Sequence, residues 1–104
     1  MVNPYRGEVS VTLDGQVLPM RLSLGALAEL EESLDCKNLV GFVERFEAGQ
    51  FKTQDIIVLL FHGLRCAGWS GSKGDLMKST IEGGPLAAAK AAGQLLRVTF
   101  SLPE

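Results

Sequence analysis

His62, Cys36 and Cys66 are the residues of this 104-residue chain best suited to metal or nucleophilic chemistry, and neither cysteine sits in a CxxC pair. Zinc sites built on cysteine repeat a motif spacing such as CxxC, and three residues without that spacing are a poor zinc signal. His62 lies inside the most apolar stretch of the chain, residues 55–64, where a histidine reads as packed or surface-lying rather than as a ligand. A Cys36–Cys66 disulfide is conceivable, but two isolated thiols in a chain able to form its own core read as reduced and cytosolic. Glu29, Glu31 and Glu32 put three carboxylates close together. On a helix, residues one or two apart point in different directions, so this trio reads as a solvated edge rather than an acid–base pair.

The run Gly68-Trp69-Ser70-Gly71-Ser72-Lys73-Gly74 has the small residues and the lysine of a phosphate cradle. It lacks the GxxxxGK[ST] spacing and no strand leads into it, so it reads as a surface loop. Trp69 has two readings: an exposed aromatic anchor for a protein partner, or a ring tucked over the end of the helical array. Phe42, Phe46, Phe51 and Phe61 read as core at helical spacing. No cofactor, metal or small-molecule site emerges, and no pairing of a nucleophile with a base. The chain is not expected to be an enzyme.

Ten basic against twelve acidic residues give a net charge of −2, which argues against phosphate neutralisation and hence against nucleic-acid binding. With 46% hydrophobic and 21% charged residues the composition is that of a globular domain. The longest aliphatic–aromatic run, Ile56 to Phe61, is far short of the roughly 20 residues that span a bilayer. No secretory signal opens the chain, so the expectation is a cytoplasmic protein that does not engage a membrane.

The elements that would hold these residues begin with a β-hairpin. Val9, Val11 and Leu13 alternate with polar residues, and Asp14-Gly15 suits a two-residue type I′ turn. That turn pairs Leu13 with Gln16, Val11 with Leu18 and Val9 with Met20; Pro19 then demands an exposed or irregular edge. The apolar face needs a cover, expected from a helix opening at Leu24 with Ser23 as N-cap and Leu24, Leu27, Leu30 and Leu34 as its stripe. Asn38 caps a second helix reaching about Ala48, with Gly49 stopping it. Thr53 caps a third, apolar nearly all round and therefore central in the fold or covered by a partner. Its β-branched residues also suit a buried strand, but cap and length favour a helix. A short helix over about 73–81 follows, and after Gly83-Gly84-Pro85 comes an Ala-rich helix to about Phe100, suited to close packing or self-association. The fold class is α+β: one domain over 1–104, with an N-terminal hairpin over about 7–22 packed on four to five helices over about 24–100.

In order and spacing, several segments resemble a family of small tail proteins of gene transfer agents and related long-tailed phages. They are Asn3-Pro4-Tyr5-Arg6-Gly7-Glu8-Val9, Leu13-Asp14-Gly15 and Leu24-Gly25-Ala26-Leu27-Ala28-Glu29-Leu30-Glu31. Further on come Glu44-Arg45-Phe46-Glu47-Ala48-Gly49, Gly63-Leu64-Arg65 and Ile81-Glu82-Gly83-Gly84-Pro85-Leu86. The stretch from Cys66 to Lys78 is where the resemblance is weakest. The resemblance implies a tail assembly chaperone, although such proteins have also been labelled tail tube proteins. It would bind the tape-measure protein, keep that protein's apolar helices soluble, and help tail tube subunits polymerise around it. Ile57, Leu60, Phe61 and Trp69 are the candidate partner-binding residues, and the Ala-rich helix admits homo-oligomers. The alternative is a structural tube or connector subunit retained in the particle.

Overall fold

A computed structural model describes residues 9–33 and 39–100. Strands β1 (Val9–Leu13) and β2 (Gln16–Met20) form an antiparallel hairpin, followed by helices α1 (Leu24–Ser33), α2 (Leu39–Glu47), α3 (Thr53–Cys66), α4 (Lys73–Lys78) and α5 (Gly84–Phe100). The α+β architecture is as expected. The register is the one that the turn dictates, Leu13 opposite Gln16, Val11 opposite Leu18 and Val9 opposite Met20. Asp14 and Gly15 both hold positive φ, 49° and 84°, as a type I′ turn requires. In that register Pro19 stands opposite Ser10 in a non-hydrogen-bonded pair, so its missing N–H leaves the ladder intact.

The hairpin packs differently from the expectation. Its cover comes chiefly from α3, against β2, and from α5, against β1, whereas α1 packs on α3. The reason lies in α1 itself: Ala26 and Leu30 face inward, while Leu24 is 86% exposed on the first turn, so the buried stripe is too narrow to roof a sheet. Central α3 contributes Val58, Leu59, Leu60, Gly63 and Leu64 to the core and touches α1, α4, α5 and β2. The helical layer therefore runs α1, α3, α5, α2, with α1 and α2 at opposite ends. Ala88, Ala91 and Ala92 of α5 are buried within the domain, so the small-residue face serves the domain's own packing.

Helix ends show how local chemistry sets the boundaries. Ser23 caps α1 by accepting the Ala26 N–H at 3.1 Å. Gly49, at φ 82°, ends α2 in a Schellman arrangement, with the Gly49 N–H on the Phe46 carbonyl and the Gln50 N–H on the Arg45 carbonyl. The N-cap of α3 is Lys52 rather than Thr53, because Asp55 reaches back to accept the Lys52 N–H at 2.9 Å. Helix α4 opens with a full capping box between Ser72 and Asp75 and ends at Lys78, short of Ile81. Ile81 instead bridges to Leu13, with the Asp14 N–H on the Thr80 carbonyl at 2.8 Å and the Glu82 N–H on the Thr12 carbonyl at 3.0 Å. Thr80 and Ile81 are β-branched and cover part of the outer edge of β1, which explains why the helix stops early. Leu34, Cys36, the Asn38 cap, the segment before Val9 and the tail after Phe100 lie outside the described residues. Among the described residues no helix is long and apolar enough to cross a membrane.

Candidate partner-binding groove

The first turns of α3 and α5 diverge around the short α4, and the gap between them is a groove of about 410 Å³. Its walls are Ile56, Ile57 and Leu60 of α3, Leu76 and Met77 of α4, Ile81 of the bridge segment, and Pro85 and Ala88 of α5. No charged side chain lines it. Each helix presents this face for a sequence reason. The α3 residues continue the side of the helix that carries Leu64 at the core. Ser72 and Asp75 fix the start of α4, and hence its phase, so that Leu76 turns inward and Met77 stays at the rim, 61% exposed. Gly83, at φ 87°, and Gly84, at φ 73°, reverse the chain to bring Pro85 alongside. The result is an uncharged trough with a flexible thioether at its mouth, a surface suited to the apolar ridge of a helix.

The structure brings two of the four expected residues together here. Ile57 is half-buried in the groove wall. Leu60 is 1% exposed, so its side chain packs the core and supports the groove from below instead of presenting itself to a partner. Phe61, one position on and therefore turned about 100° around the helix, lies outside the groove. Its half-buried ring has the Arg65 guanidinium 5.6 Å and the Lys73 ammonium 5.8 Å from its centroid. Trp69 is also half-buried and packs against the core, its indole lying over Gly71, where any Cβ would collide with the ring. It borders a separate, more polar cleft with Leu13, Asp14, Gln16 and Leu18 at the hairpin tip.

Met77, Ile81 and Pro85 complete the groove and were not among the expected residues. The signal available for Met77 was the Ser72-x-x-Asp75 box, which fixes the phase of a helix whose own periodicity is weak. The remaining candidates take ordinary places. Phe42 and Phe46 are buried, and Phe51 stacks on Phe46 at 4.3 Å. His62 sits in a crevice between α1 and α3 with its Nδ1 3.4 Å from Glu29 Oε2. Burial holds its pKa below the usual 6.5; Glu29 opposes that shift, and Lys73 and Arg65 add to it. Cys66 carries a free, half-buried thiol in the same crevice. Among the described residues no group of three or more His, Cys, Asp or Glu side chains could hold a metal ion.

A family model described as "Phage tail tube protein, GTA-gp10" matches residues 6–102. No curated protein and no solved structure matches the chain.

Proposed function

The chain belongs to the phage tail tube protein, GTA-gp10, family, and from that membership we propose that it is a non-enzymatic tail assembly chaperone. The groove between α3, α4 and α5 takes the apolar ridge of a helix of the tape-measure protein. It holds that helix soluble until tail tube subunits polymerise around it. The observation that carries this reading is the groove itself: uncharged, bounded by three helices, and with Met77 61% exposed at its mouth. A helix offering apolar residues three and four apart fits such a trough. Thioether side chains adapt to varied apolar partners, as a chaperone surface must.

The second reading is a structural tube or connector subunit, favoured by the description that the family carries. Against it stands the size of the sheet. A ring of tube subunits is built by joining sheets, and the described residues offer two strands and one isolated bridge.

Co-expression of the tagged chain with its neighbouring tape-measure and tube proteins tests the proposal. Capture of the tape-measure protein by the wild type, lost in Met77→Asp with the fold retained, supports it. Failure of the wild type to capture it, or undiminished capture by Met77→Asp, removes the groove from the account.

A further inference from the structure

We infer that this chain binds a second copy of itself head to tail, with α1 of one copy seated in the groove between α2 and α5 of the next. That groove has a volume of about 550 Å³ and a floor made of the stacked Phe46 and Phe51 rings and Gly93. Along α5 its wall changes character. Leu86, 80% exposed, stands at one end, Lys90 follows one turn later, and Arg97 lies two turns beyond that. Glu47, 3.7 Å from Arg97, is the single acidic group lining it. The outward face of α1 changes in the matching sense. Leu24, 86% exposed, opens the helix, Ala28 is exposed one turn on, and exposed Glu31 and Glu32 follow, with no basic residue anywhere in the helix.

Helical rise turns this match into a register. Glu31 lies about 10 Å along the axis from Leu24, while Lys90 and Arg97 lie about 6 Å and 16 Å from Leu86. Laid parallel to α5, α1 places Leu24 against Leu86 and the aromatic floor, and sets Glu31 between the two cations. Charge and apolar area are therefore complementary in one direction along the helix and mismatched in the other. Because α1 and α2 stand at opposite ends of the helical layer, the two surfaces of one copy cannot meet each other. The contact is heterologous and builds a ring or a filament rather than a closed dimer. It is independent of the chaperone reading, and its test uses this chain alone.

Sedimentation across a concentration series, on the wild type and on Leu24→Asp and Lys90→Glu, decides the matter. Both positions are exposed, and an aspartate at the first turn of α1 suits the helix dipole, so circular dichroism should report intact folds. The wild type should grow past a dimer with concentration. Each variant alone should remain monomeric, its contact weakened by about tenfold or more through a charge in an apolar seat or a repulsive pair. Mixed together, the two should give a one-to-one dimer and nothing larger, since each retains the surface that the other has lost. A wild type that stays monomeric at its highest soluble concentration overturns the inference. So does a variant that associates like the wild type, or a mixture that stays monomeric.

Discussion

Met20, at the end of β2, lies directly against Gly63 of α3: a methyl group on Gly63 would come within 3.1 Å of the Met20 Cβ and 2.7 Å of Leu95 Cδ2. The next residue of the chain, Arg21, donates its N–H to the Gly63 carbonyl at 3.1 Å. Hairpin, central helix and α5 therefore close on one point where only a hydrogen fits. Replacing Gly63 with Ala adds about 1 kcal/mol of helix propensity, yet overpacking costs about 1–3 kcal/mol. The expected net outcome is a loss of stability, read as a lower denaturant midpoint. A stabilised Gly63→Ala would mean that strand and helix can part without penalty.

Asp14 couples the hairpin tip to the segment after α4. Its N–H donates to the Thr80 carbonyl at 2.8 Å and its carboxylate accepts the Thr80 N–H at 2.9 Å. Asp14→Ala removes the second bond, a loss of about 0.5–1.5 kcal/mol. Faster hydrogen exchange at the Thr80 amide, with the amides of α2 unchanged, is the expected signature. Because Ile81 is a wall of the groove proposed to take the tape-measure helix, the same variant should also weaken tape-measure capture modestly.

His62 makes stability depend on pH. Its folded-state pKa lies below 6.5, chiefly because burial between α1 and α3 penalises the imidazolium more than Glu29 favours it. The unfolded chain therefore binds this proton first as pH falls. The His62 contribution is full above pH 6.5 and is lost as pH drops from there through the lower, folded value. Denaturation between about pH 7.5 and about pH 5.5 should show this decline, and His62→Gln should flatten it. An unchanged slope in the variant would assign the decline to other groups.

Leu60, Ile57 and Met77 separate packing from binding within one groove. Leu60→Ala should destabilise the domain by about 2–5 kcal/mol, the range for emptying a buried leucine site. Met77→Asp, at an exposed position, should change stability by no more than about 0.5 kcal/mol while reducing tape-measure capture. Ile57→Ala should fall between them on both scales, since its side chain is half in the wall and half in solvent. Thermal unfolding and pull-down on the same three preparations check the order.

The sequence spoke most clearly where local chemistry decides. Asp14-Gly15 demands positive φ, which sets the turn and through it every pairing in the hairpin. Ser23 and Gly49 likewise mark helix ends because their caps are satisfied within a few residues. Tertiary choices were less legible. That α3 and α5, not α1, cover the hairpin depends on which apolar face is broad enough, and Leu24 looked like part of a stripe it does not join. The end of α4 depends on a β1 edge that lies nearly seventy residues away in sequence, a bond no periodicity reveals. The groove was half visible. Ile57 stood out through the apolar excess of α3, whereas Met77 enters it through the phase that the Ser72–Asp75 box gives α4, and Pro85 through the Gly83-Gly84 turn.

The chaperone proposal is tested most directly by quantitative mass spectrometry of purified particles beside the lysate in which they assemble. A chaperone should be abundant in the lysate, recovered with the tape-measure protein in assembly intermediates, and absent from finished particles. Incorporation at a fixed ratio to the tube subunits would contradict it, and would make this chain a structural component of the tail.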